Sequence, residues 1–150
     1  MASTFYPSFF RDVLKGEIGN LESATVKCML LKNTYLFNKS HSLVSQITAH
    51  EVTNTGGNSG YIRKTVPVTI DLDVLSEGEE GAYISLDLNN STSWPTAYFT
   101  ARYAAIYVHT GADDSLNGLM YLLDLGADKT SSGSTFQLMN PNPQPKIRRL

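Results

Sequence analysis

A chain of 150 residues is long enough to bury one core, and its formal net charge of −2 excludes the overall basic field that nucleic-acid binding draws on. Hydrophobic residues make up 41% and charged residues 17%, so much of the surface falls to Ser, Thr, Asn and Gly, which favours short strands and turns over long helices and excludes a disordered chain. The single cysteine, Cys28, excludes an intramolecular disulfide, and no apolar run reaches the roughly 20 residues that cross a bilayer.

The first segment, STFYPSFFRDVLKG, predicts a short helix within residues 1–16. Tyr6, Phe9, Phe10, Val13 and Leu14 recur at helical spacing. Thr4 is placed to cap it, Pro7 suits its first turn, and Gly16 follows Lys15 as a stop. Phe9 and Phe10 either pack over the domain's own sheet or dock on a neighbour. No basic region followed by an uninterrupted apolar stretch marks a secretory signal.

From Ala24 the period changes to two. Ala24, Val26, Cys28 and Leu30 alternate with Thr25, Lys27, Met29 and Leu31, which predicts a strand with Cys28 as a small buried hydrophobe. SLVSQITAHEV (42–52) has room for a helical turn, and TNTGGNSG (53–60) reads as a loop. YIRKTVPVTIDL (61–72) predicts a strand in which Pro67 marks an edge or a bulge. SEGEEG is an acidic turn, AYISLDL (82–88) a strand and NNSTSWP a turn. TARYAAIYVHTG (100–111) is apolar on both alternating faces and rich in β-formers, which predicts a strand buried on both sides. GADDSLNG turns the chain, LMYLLDLG (119–126) is the next strand, ADKTSSGS a turn, and STFQLMN (134–140) the last strand. The expectation is one domain over 1–150, all-β. It is an antiparallel sandwich or barrel of about six to eight strands over 24–138 with a short N-terminal helix.

The end of the chain stands apart. Pro141, Pro143 and Pro145 stiffen residues 139–150 into an extended arm. Lys146, Arg148 and Arg149 place three of the twelve basic residues in the last five positions, ahead of Leu150. Such an arm is expected not to fold on itself, but to be disordered or pinned to another surface.

Chemistry-bearing motifs are sparse. His41, His50 and His109 stand apart, with no His or Cys partner at metal-ligand spacing, so no metal and no cofactor is expected. No nucleophile elbow or phosphate-cradling glycine loop occurs, and the chain is not read as an enzyme. Asp71, Asp73, Glu77, Glu79, Glu80 and Asp87 gather six of the fourteen carboxylates in one hairpin, read as a solvated tip rather than a glycosidase pair or a calcium loop. Asp113 and Asp114 are read the same way. Arg102, the charge inside the central strand, is placed to pair with a buried carboxylate such as Asp124 and to fix register or reach an interface. Trp94, before Pro95, is a core plug or an interface anchor.

Taken together, FYPSFFRDVLKGEIGNLESATVKCMLLKNTYLFNKSH, EVTNTGG, TARYAAIYVHTG and LMYLLDLGADKTSSGSTFQL resemble a family of small structural proteins of tailed bacteriophages. The Thr-Ala-Arg-Tyr-Ala segment is the most specific part; STSWPTAYF and the Pro-rich basic end depart from the pattern. The resemblance implies a non-enzymatic virion component, a capsid decoration or cement protein, with a tail or neck component or a glycan-binding tip module as alternatives. It implies contact with the major capsid protein or other virion proteins and a dimeric or trimeric state, without nucleic acid or membrane as partner. The partner-binding residues expected on these grounds are Phe9, Phe10, Trp94, Pro141, Pro143, Pro145, Lys146, Arg148, Arg149 and Leu150.

Overall fold

A computed structural model describes residues 2–54, 58–75 and 77–148 of the chain. In order, it contains β1 (Thr4–Phe5), α1 (Pro7–Leu14), β2 (Val26–Leu31), two 3₁₀ turns (Val44–Gln46 and Thr48–His50), β3 (Lys64–Thr65) and β4 (Val68–Asp73). Then follow β5 (Gly81–Leu86), β6 (Ser93–Val108), a 3₁₀ turn (Asp114–Leu116), β7 (Gly118–Gln137) and β8 (Lys146–Arg148). The fold is all-β with one short N-terminal α-helix. Its strands form two antiparallel sheets, ordered β1-β7-β6-β2-β3 and β4-β5-β8.

The ribbon of β6 and β7 is the centre of the larger sheet. Ala101, Ala104, Ala105, Ile106 and Tyr107 are buried whichever way they point, because both faces of this sheet are covered. Val26, Cys28, Leu30, Ala104 and Ile106 meet Val68, Ile84, Leu86 and Leu88 of the smaller sheet and its flank. Met29, Leu31, Ala105, Tyr107, Leu119 and Leu122 face the other way, under Tyr6, Tyr35, Val44 and Ile47. The alternation of residues 24–31 thus divides between two cores, and Cys28 lies in the inter-sheet one, where burial pushes its thiol pKa up to about 12.

Four expectations from the sequence are corrected. Thr4 does not cap the helix: it pairs with Leu122 in β1, and Tyr6 takes the cap position without a side-chain hydrogen bond, Pro7 following it inside the helix. The segment 61–72 is not one strand. Pro67 separates β3 from β4, and the chain passes there from the larger sheet to the smaller, with Val66 N–H donating to Val26 O and Asp87 N–H to Pro67 O. ADKTSSGS is not a turn: β7 runs through it, because the long β6 supplies partners as far as Ser93. The register shifts there, Gly126 and Gly133 take positive φ, and Thr100 Oγ1 and Thr130 Oγ1 bond across the ladder at 2.8 Å. Of the expected loop 53–60, residues 55–57 lie outside the described residues.

The fourth correction concerns the end of the chain. Residues 146–148 form an edge strand on β5, so this segment folds onto its own domain. Prolines offer no N–H, and side chains supply the missing hydrogen bonds. Asn140 Oδ1 accepts from Leu88 N–H at 2.6 Å and Asn89 N–H at 3.0 Å. The Gln144 amide both accepts from Leu86 N–H and donates to Leu86 O, and Ile84 N–H donates to Pro145 O at 2.8 Å. Gly81 makes this docking possible, since a Cβ there would lie 2.0 Å from Ile147 O. Gly81→Val is therefore expected to push β8 off the sheet. Limited trypsin digestion read by mass spectrometry should show the Lys146–Ile147 bond cut much faster in the variant than in the wild type; equal rates contradict the docking.

Candidate functional site

The densest polar constellation in the described residues is centred on Arg63. Its guanidinium donates through Nε to Glu51 Oε2 and through Nη2 to Glu51 Oε1, both at 2.8 Å. The same group donates to Asp114 Oδ1 at 2.7 Å and Oδ2 at 3.0 Å, and to the Tyr107 hydroxyl at 3.3 Å. Tyr61 OH donates to Glu51 Oε2 at 2.5 Å. Asn117 Nδ2 donates to Asp114 Oδ1, while its Oδ1 accepts from the N–H groups of Thr110 and Gly111. One planar fork thus holds two carboxylates from different loops against the end of β6.

The electrostatics are those of a clamp. The hydrogen bond from Arg63 holds the Asp114 carboxyl below its ordinary value, against the opposing effect of burial. Burial, then the charge of Glu51, raises the Tyr61 hydroxyl. The guanidinium and both carboxylates thus face one another within the set.

A second polar set lies in the core under the loop 32–52. Tyr6 OH and Tyr35 OH bond at 2.8 Å, and Tyr35 OH meets His41 Nδ1 at 3.1 Å. The ring of His50 stands 5.6 Å from that of Tyr35, and burial lowers the His41 pKa. Two histidines remote in sequence thus flank one tyrosine. Among the described residues no three His, Cys, Asp or Glu side chains gather as metal ligands do. His109 sits beside the Tyr107 ring, at the rim of β6.

Of the residues expected to bind a partner, Trp94 is a core side chain, 1% exposed. Its Nε1–H donates to Ile62 O at 2.8 Å, and its ring meets Phe99 and Phe136 edge-on. Phe9 is also buried, stacked on Phe5, while Phe10 lies beside it at the surface. Pro145 is buried and Pro141 half-buried, leaving Pro143 exposed after a cis peptide bond. Lys146 Nζ bonds Asp73 Oδ2 at 2.5 Å, so its cation is spent within the chain. Arg148 remains exposed, and Arg149 and Leu150 lie outside the described residues. Arg102 pairs with Asp124 as its place in the strand implies.

Two surfaces stand out instead. The outer side of α1 exposes Phe10, Val13 and Leu14. The smaller sheet and the residues after β4 expose Ile70, Leu72, Val74, Leu75 and Ile147. Between β1, β7 and the end of the chain runs a groove of about 630 Å³, lined by Phe5, Tyr121, Leu123, Tyr83, Pro143 and Lys146 among others. The sequence signal for the first surface was the unbroken helical stripe. The Arg63 clamp left no signal in YIRKTV, where Arg63 alternates with Ile62 and the charge out of phase is Lys64.

Comparison with family models, with curated proteins and with solved structures finds no match to this chain.

The clamp makes a definite prediction. Arg63→Met leaves Glu51 and Asp114 facing each other, each largely screened from water, and is expected to cost about 2–3 kcal/mol in urea unfolding. Asp114 has a depressed folded-state pKa, so its contribution is present above the unfolded value near 4 and is lost as pH falls through the lower folded value. Asp114→Asn should therefore destabilise at neutral pH and flatten the acid limb of the stability profile. An unchanged limb contradicts the clamp.

Proposed function

We propose that this chain is a structural protein of a tailed-phage virion that decorates the head and works by protein–protein contact. The observation that carries the reading is the distribution of exposed apolar side chains. Eight of the thirteen large ones among the described residues lie on the helix (Phe10, Val13, Leu14) and on the smaller sheet or just after β4 (Ile70, Leu72, Val74, Leu75, Ile147), while the strongest ionic groups of the interior are tied into internal pairs. Contiguous apolar exposure of this kind marks interaction surfaces. The phage assignment comes from the resemblance of the TARYA strand and its companion segments.

A rigid scaffold suits the task. A cement protein bound in many copies gains most from surfaces already in their bound shape, because little ordering entropy is then lost on docking. The buried part of the β6–β7 ribbon supplies that rigidity, with the helix and the smaller sheet packed into the one core that lies on it. The glycan-binding alternative loses its main residue, since Trp94 is buried and the exposed aromatics Phe10 and Tyr98 belong to separate elements.

Mass spectrometry of purified particles of the phage that encodes the chain should find it in many copies per particle. Cosedimentation of the purified protein with heads that lack it should be saturable. The double variant Phe10→Asp, Leu14→Asp, altered only at exposed positions, is expected to keep its melting temperature and bind about tenfold or more weakly. Absence from purified particles would overturn the reading.

A further inference from the structure

The two outer edges of the smaller sheet differ in charge and match each other. Directly opposed residues of antiparallel strands share a face. One face therefore carries the rows Asp71–Tyr83–Lys146 and Asp73–Gly81–Arg148; Lys146 and Asp73 bond each other, which leaves Asp71 as the exposed acid of the β4 edge and Arg148 as the exposed cation of the β8 edge. The other face carries Leu72–Ala82–Ile147, an apolar row that ends at the surface on both sides. Leu72 is 78% exposed, and Leu75, just beyond the strand, 92%.

Both edges also present backbone groups. Asp87 N–H donates to Pro67 O, so the alternation turns the backbone groups of Val68, Ile70 and Leu72 outward. Glu22 already accepts from Ile70 N–H at 3.1 Å, which leaves the Leu72 end for a further strand. On the opposite edge Ile84 N–H donates to Pro145 O, so Lys146 and Arg148 turn theirs outward. Arg148 makes one long ion pair, 3.6 Å from Glu79, and both side chains are 61% exposed.

We propose that the occupant of each edge is a second copy of this chain: the β4 edge of one copy, from Leu72 to Leu75, docks on the β8 edge of the next. This builds on the assembly role proposed above. Charge decides the arrangement. β4 against β4 would set Asp71 against Asp71, and β8 against β8 would set Arg148 against Arg148, each costing like-charge repulsion. Pairing β4 with β8 as parallel neighbours instead sets Leu72 beside Ile147, so that its outward backbone groups meet those of Lys146 and Arg148, and puts Asp71 on the same face as Arg148. Such a contact is head-to-tail, so copies close into a ring about a symmetry axis or run on as a chain, rather than forming a two-fold dimer. Contact by strand edges gives the affinity, and the charges choose the partner edge.

Sedimentation velocity on the full chain, from micromolar to submillimolar protein, tests this. The wild type is expected to associate beyond the monomer, less at high salt. Arg148→Glu and Asp71→Lys should each weaken association about tenfold or more. The double variant, or an equimolar mixture of the two single variants, should restore it, because both rebuild opposite charges across a head-to-tail contact. Leu72→Lys, at an exposed position, should abolish association while leaving the melting temperature unchanged. A monomer throughout the range overturns the inference, as does association indifferent to these variants or a double variant that fails to recover. A strict monomer that still coats particles removes the self-association and leaves the decorating role; an oligomer absent from particles does the reverse.

Discussion

The structure depends on the antiparallel ladder between β6 and β7, whose stretch from Ala104 to Val108 and from Leu119 to Leu122 is covered on both faces. Ala104 lies opposite Leu123 and Ala105 opposite Leu122, and the two alanines belong to different cores. Small side chains at these positions let the covering layers come close, one made by the smaller sheet and one by the loop that carries the two 3₁₀ turns. A ribbon in this position exposes almost no apolar edge of its own. Every other element is placed by reference to it: β2 and β1 flank it, α1 enters from β1, and Pro67 carries the chain from β3 over to the second sheet.

The smaller sheet is built differently. Val68, Ile84 and Leu86 reach the shared core, but farther along the same face Ile70, Leu72 and Ile147 run out beyond its cover. Exposed sheet edges invite pairing, and the chain limits this with a carboxylate on Ile70 N–H and a short β8. What remains open is narrow and charged, which suits selective contact better than aggregation. The Arg63 clamp works at the Tyr107 end of β6, where it ties Glu51 and Asp114 to Tyr107 and so joins two loops that carry 3₁₀ turns.

The strongly patterned parts of the fold were legible in the sequence. Alternation in residues 24–31 reported a strand, and the two-sided apolar run of Arg102 to Val108 reported the central one. The Arg102–Asp124 pair followed from a lone charge inside that run. The polar half of β7 was not legible, because Ser, Thr and Gly in ADKTSSGS carry turn propensity and only pairing with the start of β6 overrides it. The end of the chain misled for a related reason. Prolines remove backbone donors, but the Gln144 amide donates to Leu86 O and Asn140 Oδ1 accepts from the N–H groups of Leu88 and Asn89, which no local pattern announces. The Arg63 clamp joins residues 51, 63, 107 and 114, a separation over which spacing carries no information. Trp94 resolved to the core because its indole N–H finds a carbonyl there.

Native-state hydrogen exchange tests the central role of the ribbon most directly. The amides of Ala104 to Ile106 and of Leu119 to Leu122 should be the slowest in the molecule, exchanging only through global unfolding, while that of Ile147 exchanges through a smaller, local opening. Ribbon amides that exchange as fast as those of β8 would contradict the account.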